Sequence, residues 1–252
     1  MHRREFLASS VAVSASAITT RAARRSAKDE SIYDMGSRRE LFLDDFLIEK
    51  TRGKIQFQLH HPQPRELVLH MNDAWEGTSS GYMTMVQDGD KYFMYYRGHN
   101  FDLVDNQIRF TVPESTCVAI SDDGINFNKP KLGLYEHDGS KENNIIWRGA
   151  GAHNFSPFLD ARPDCPADEK FKAFGGLRHN GGMRLFKSPD GFHWSAAHKD
   201  GVITNGAFDS ANIGFWDPTI EKYRAYWRYF TEGITEEKVW KPAGIRAIRT
   251  AV

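Results

Sequence analysis

The sequence predicts an all-β protein, a β-propeller built of four-stranded antiparallel blades. Three observations carry that reading. First, one short segment occurs twice. Residues 117–127 contain the turn Ser121-Asp122-Asp123-Gly124, and residues 183–194 contain the turn Ser188-Pro189-Asp190-Gly191. The two serines are about 67 residues apart, within the span of a four-stranded blade with its loops. Second, apolar runs of strand length bounded by Gly, Asp, Asn and Pro dominate after Leu41, and a helical period is hard to find. Third, each group of runs reads as a small meander with two faces to cover. Radial stacking of like units supplies that cover, whereas a sandwich needs no matched repeats.

The elements follow in order. Residues 82–86 and 91–96 flank Asp88-Gly89-Asp90, a strand–turn–strand hairpin. A third strand spans roughly 116–121, and a short edge strand is expected near Asn126-Phe127. The second unit reads as 155–160, 170–175 and 183–186, closing on His193-Trp194. The third reads as 211–216, 222–228 and 244–250. Residues 232–238 are the one segment expected as a short helix. Phe127 and Trp194 fall at equivalent places after Asp-Gly, where a ring can seal the contact between blades. Asp122, Asp123, Asp190 and Asp217 sit in hairpin turns and are expected to be structural. A third copy of the repeat opens at Gly244-Ile245-Arg246 and the chain ends at Val252. The expectation is therefore about three blades of a propeller that is encoded only in part.

Composition narrows the function classes. The 252 residues carry 33 Lys and Arg against 33 Asp and Glu, so the formal net charge is zero. Nothing in that balance calls for nucleic acid or an anionic membrane as partner. The 40% apolar and 13% aromatic content supports a substantial core. The first residues include Arg3-Arg4-Glu5-Phe6-Leu7 and then a weakly apolar stretch from Ala8 to Ile18, the pattern of a twin-arginine export signal. The expected organisation is a signal over 1–27, a linker over 28–40, and the propeller domain over 41–252. The expected location is periplasmic or extracellular, with no membrane association once the signal is removed. Cys117 lies in an apolar strand and Cys165 in a Pro/Asp loop, and neither has metal-ligand spacing. A bridge between them is the lesser reading, since cysteine is a common small core residue. No cofactor and no metal site is expected, and a structural calcium ion stays open.

The repeated Ser-x-Asp-Gly-x-x-Phe/Trp turn resembles the blade element of the five-bladed propeller glycoside hydrolases, the superfamily of invertases, levansucrases and arabinanases. Residues 41–48, Trp75-Glu76-Gly77, residues 94–98, residues 153–160 and residues 208–212 are similar to exported bacterial glycosyl hydrolases of that type. The resemblance implies a five-bladed fold, a carbohydrate substrate, and carboxylates projecting from successive blades into an axial funnel. Two such carboxylates flank the scissile bond, and their separation sets retention or inversion.

The candidate residues follow blade by blade. Asp73 and Glu76 precede the first inner strand, and Met71-Asn72-Asp73-Ala74 resembles the start of the invertase nucleophile motif, with Ala74 where Pro is expected. His153 and Asn154 hold the entrance of the second blade, and Asp209 and Asn212 that of the third. The Arg-Asp-Pro and Glu-Cys motifs of invertases are absent. Asp73, Glu76 and Asp209 are thus the catalytic candidates. His153, Asn154, Asn212 and Arg97 are the substrate-binding candidates, with His99 beside Arg97 able to reach a sugar hydroxyl. The alternative is a glycan-binding propeller without catalysis, or an interaction scaffold, because fold does not fix function.

Overall fold

The computed structural model describes residues 35, 36, 40–236 and 238–252. The export-signal segment, residues 1–27, lies outside the described residues, as does most of the 28–40 linker. The chain divides into two compact units, Met1–Gln63 and Pro64–Val252. The described part of the first unit contains no strand and is shaped by local turns, such as Leu43 N–H to Leu41 O at 2.9 Å and Phe46 N–H to Asp44 Oδ1 at 3.0 Å.

The second unit is all-β, with no α-helix among the described residues. Its first sheet runs in order β1 (Gly81–Asp88), β2 (Lys91–Val104), β3 (Gln107–Ser121) and β4 (Ile145–Arg148). The second contains β5 (Ser156–Leu159), β6 (Phe171–Gly175), β7 (Arg184–Ser188) and β8 (Ser195–Ala196). The third contains β9 (Ile213–Asp217), β10 (Lys222–Thr235) and β11 (Trp240–Ala251). Every pairing is antiparallel between chain neighbours. The leading strands lie side by side, β1 by β5 and β5 by β9. These are consecutive blades of a β-propeller.

Burial explains why β2 reads as an unbroken apolar run. Phe93 and Tyr95 point into one cluster with Val86, Val118, Ile146 and, from the next blade, Phe171. Met94 and Tyr96 point into another with Cys117, Ala119 and Ile145, covered by Leu69, Met71, Trp75 and Phe127. Both faces of the strand are therefore dry, and alternation disappears from the sequence. The second and third blades meet through Met183, Phe208, Ala225 and Trp227, with Phe174 packed against them.

The repeated turn has one physical design in both copies. The serine hydroxyl accepts the glycine N–H, at 3.0 Å for Ser121–Gly124 and 2.9 Å for Ser188–Gly191. The aspartate Oδ1 accepts the next two N–H groups, from Ile125 and Asn126 onto Asp123, and from Phe192 and His193 onto Asp190. These are Asx-type turns, in which the carboxylate replaces a strand partner for the backbone. The second copy also docks on the first blade. Tyr95 donates to Gly191 O at 3.1 Å, and Trp194 stacks edge-on against Tyr95 and Phe155, with ring centroids 6.1 and 4.9 Å away. Trp194 thus joins two blades, whereas Phe127 covers the far face of the first.

Three expectations are corrected. The fourth strand of the first blade is β4, paired with Ser115–Cys117; near residue 127 only Asn128 makes a bridge, to Ile120. Residues 232–235 are strand, not helix, because Ile234 and Thr235 pair with Lys241 and Trp240 across a hairpin. Strands β2 and β3 run well past residues 96 and 116, to a tight turn at Asp105-Asn106. Both turn residues have positive φ, 51° and 61°, as a two-residue primed turn requires. Cys117 and Cys165 are both free thiols.

Candidate functional site

The blade entrances and two long hairpins enclose a cleft of about 680 Å³ in the second unit. Its polar lining includes Ser79, Arg97, His99, Glu114, His153 and Asp209; Tyr82, Phe101, Phe110 and Trp240 give it aromatic walls. Ser79 comes from the turn before β1, Tyr82 from the start of β1, Arg97 and His99 from β2, and Glu114 from β3. His153 comes from the 3-10 turn Ala152–Asn154, and Asp209 from the bend before β9.

Tyr82 is the conformational outlier of the site. Its φ is +52°, unusual for an aromatic residue, and it sits where the β1–β2 register shifts between Gly81 and Thr84. Bulges of this kind re-aim side chains beside functional sites. Here the ring is turned beneath Arg97, whose guanidinium carbon lies 4.9 Å from the ring centroid, and 5.2 Å from the His153 ring. The hydroxyl donates to Asp209 O at 3.2 Å, linking the first blade entrance to the third.

Arg97 is fixed by Ser79. Its Nη2 donates to Ser79 O at 2.7 Å and Oγ at 2.9 Å, and Nε donates to the same carbonyl at 3.2 Å. Glu114 Oε1 lies 3.6 Å from Arg97 Nη1 and 2.6 Å from His153 Nδ1. The short contact to a carboxylate makes His153 Nδ1 the donor. Arg97 Nη1, 3.1 Å from that nitrogen, then makes a charge contact there, and its hydrogen-bond option is Nε2 at 3.4 Å. Burial opposes ionisation of Glu114, but the His153 hydrogen bond and the Arg97 charge outweigh it and hold its carboxyl below the usual range. His99 is buried, stacked on Phe110 with ring centroids 5.3 Å apart, and its Nδ1 has no partner. Burial pushes its pKa down despite Glu114, so it stands neutral.

Asp209 is half-exposed and ion-paired with Arg228 of β10. The loop that carries it is clamped by two buried amides. Asn154 Nδ2 donates to Phe208 O and to Ser210 O, the latter at 2.8 Å, while Asn212 Nδ2 donates to Phe208 O at 3.1 Å. Asn154 Oδ1 also accepts Gly176 N–H at 2.8 Å. Both asparagines are fully buried and hold the bend in place.

Asp73 and Glu76 sit elsewhere. Glu76 is buried, with Oε1 accepting from Tyr96 at 2.5 Å and Oε2 2.7 Å from Lys129 Nζ. Lys129 Nζ also meets Asp73 Oδ2 at 2.8 Å. Asn144 donates to the Tyr96 hydroxyl at 2.8 Å and accepts from Trp75 Nε1 at 2.7 Å. Burial beside the Glu76 carboxylate pushes the Tyr96 hydroxyl far up, so it stays protonated and donating. This is a closed network beneath the first blade, and neither carboxylate lines the cleft.

The structure therefore brings Arg97, His99, His153 and Asp209 together, with Asn154 and Asn212 supporting them from behind. Ser79, Tyr82 and Glu114 are cleft residues that sequence reasoning missed, and Glu114 is the charged one among them. The Asp105-Asn106 turn marks the hairpin, and two register shifts between Phe101 and Gly98 then bring Ser115 opposite Gly98 and set Glu114 beside Arg97. Among the described residues no group of three His, Cys, Asp or Glu side chains is placed to hold a metal ion.

No family model matches the chain, and no curated protein matches it by sequence. Among solved structures it is similar to a glycosyl hydrolase from Bacteroides ovatus, at 15% identity and a TM-score of 0.39. That alignment covers 69% of this chain and 47% of the other, so the chain spans about half of that protein's length. It is also similar, at 10% identity and a TM-score of 0.32, to a protein described with the GH130 mannoside phosphorylases and the glycoside hydrolases among them that target β-1,2 mannosidic linkages in Candida mannan. There the alignment covers 69% of this chain and 67% of the other.

Proposed function

We propose that the protein is an exported, carbohydrate-active propeller of glycoside hydrolase type, which binds a glycan in the cleft and cleaves a glycosidic bond there. The observation that carries the reading is the convergence of Tyr82, His153 and Asp209, from three successive blade entrances, on one aromatic-walled cleft. Aromatic faces suit the apolar faces of sugar rings, and fixed ionic groups suit their hydroxyls. The resemblance of the repeated turns to the propeller glycoside hydrolases points the same way.

On this reading Asp209 is the carboxylate that faces substrate, and Arg97 and His99 bind sugar hydroxyls. Asp73 and Glu76, tied to Lys129 and Tyr96, act as scaffold. The test is a glycan panel scored for both binding and release of reducing ends, using wild type and Asp209→Asn. Turnover that is lost in the variant, with folding intact, is expected; a wild type that neither binds nor cleaves any glycan would sink the reading.

One observation favours a second reading, glycan binding without hydrolysis. Asp209 is already neutralised by Arg228, and Glu114 is held ionised by its cationic neighbours, so neither is poised as a protonated acid. Binding without release of reducing ends would decide for it. Export is tested by fractionation: replacing Arg3 and Arg4 by Lys is expected to hold the precursor in the cytoplasm.

A further inference from the structure

A hydrolytic cleft needs a group that can hand a proton to the departing oxygen, and the two cleft carboxylates are both occupied by cations. We infer that His153 is the proton-transferring residue of this cleft and that Glu114 is its positioning residue. The inference rests on the glycosidic reading given above and names the acid that the reading lacks.

The geometry is specific. His153 enters from the 3-10 turn at the second blade entrance, with about a fifth of its side chain exposed and the rest packed on Tyr82. Its Nδ1 is held by Glu114 Oε1 at 2.6 Å, which fixes the ring's orientation; Nε2 has only the long 3.4 Å approach of Arg97 Nη1 and is the nitrogen that a ligand can engage in its place. The charged and titratable groups that line the cleft with the ring are Arg97 and His99 from β2, Glu114 from β3, Tyr82 from β1, Arg178 and His179 from the turn after β6, and Asp209 on the bend before β9. Glu114 lies between Arg97 and His153 and touches both, an anion placed so that the ring can take up a proton beside an arginine. An imidazole can both give and recover a proton, which is the exchange a general acid needs.

The step balances without an outside reagent. The imidazolium Nε2–H protonates the glycosidic oxygen as its bond to the anomeric carbon breaks. Water forms the new bond at that carbon, and its proton passes to Asp209 and then to solvent, from which His153 is recharged. The products are two hydroxyl compounds, and one water is consumed.

The experiment compares glycosides that share one sugar but differ in leaving group: the 4-nitrophenyl glycoside, whose phenolate leaves without help, and the methyl glycoside, whose alkoxide needs a proton. Wild type is first screened on a panel of both. For His153→Asn the expected result is a fall of about 100-fold or more in kcat on the methyl glycoside and less than about tenfold on the 4-nitrophenyl glycoside. The high-pH limb of the wild-type rate profile should vanish with it. Glu114→Gln should lower kcat about tenfold with KM little changed and move that limb, a signature that loss of packing alone would not give. It carries the test if His153→Asn does not fold. Equal losses on both glycosides, or a pH limb unchanged in both variants, would overturn the assignment while leaving the glycosidic reading intact. A wild type inert on every glycoside would overturn the reading itself, and the assignment with it.

Discussion

Replacing Trp194 by Ala probes the joint that holds the first two blades together. The ring stands edge-on to Tyr95 and Phe155 with centroids 6.1 and 4.9 Å away, and its Nε1 donates to Gly191 O at 2.8 Å. Truncating a core Trp to Ala costs about 3–5 kcal/mol, and a half-buried ring belongs at the low end, about 3 kcal/mol. For a domain of this size each kcal/mol moves Tm by roughly 2–4 °C, so the variant should melt about 6–12 °C below wild type. Trp194→Phe keeps most of the ring and loses the hydrogen bond, and should cost only about 1 kcal/mol more than a neutral surface change. Thermal and urea melts of the two variants measure both. A loss under about 1 kcal/mol for Trp194→Ala would refute the claim that the second copy of the turn seals the first blade against the second.

The remaining predictions concern the same scaffold. Gly191→Ala places a Cβ 2.5 Å from Tyr95 Oη on a residue with φ of +81°, so a loss of about 2 kcal/mol or more is expected in the same melts. Lys172 and Asp160 form a buried pair at 2.5 Å, and Asp160→Ala, which strands the ammonium, should cost about 3–5 kcal/mol. That pair also sets an acid limb. Burial opposes the Asp160 carboxylate, but hydrogen bonds from Lys172, Tyr223 and Arg162 outweigh it and hold its pKa below the usual value. The stability it adds is complete above the unfolded value of about 3.9 and drains away as pH falls through the depressed one. Asp160→Asn should therefore flatten the fall of Tm with acid, and an unchanged slope would contradict the pairing.

Most of the blade architecture was legible in the sequence because its signals are local. Ser121-Asp122-Asp123-Gly124 and Ser188-Pro189-Asp190-Gly191 each close on their own backbone, so the turn chemistry can be read without knowing the fold. The site was less legible because it depends on reach. Strand β2 carries Arg97 and His99 beyond the apolar run that marks it, and Glu114 lies on a polar stretch of β3 that does not look like a strand. The two-residue turn at Asp105-Asn106 starts that register, and two irregularities between Phe101 and Gly98 shift it before Glu114 is reached. Asp73 and Glu76 look like entrance carboxylates by position, yet Lys129, more than fifty residues further along the chain, draws both away from the cleft. Residues 232–238 looked helical by composition, but cross-strand pairing of 232–235 with residues 240–243 overrode that preference there.

The central claim is that one cleft, at the entrances of the three blades, is where a glycan is bound and cut. The most direct measurement is steady-state turnover of the best glycan from the panel by Asp209→Asn and Asp73→Asn side by side, with melts confirming that both fold. Asp209→Asn is expected to lose about 100-fold or more in kcat/KM while Asp73→Asn stays within about threefold of wild type. Full activity in Asp209→Asn together with loss in Asp73→Asn would contradict the account and move the site to the network around Lys129.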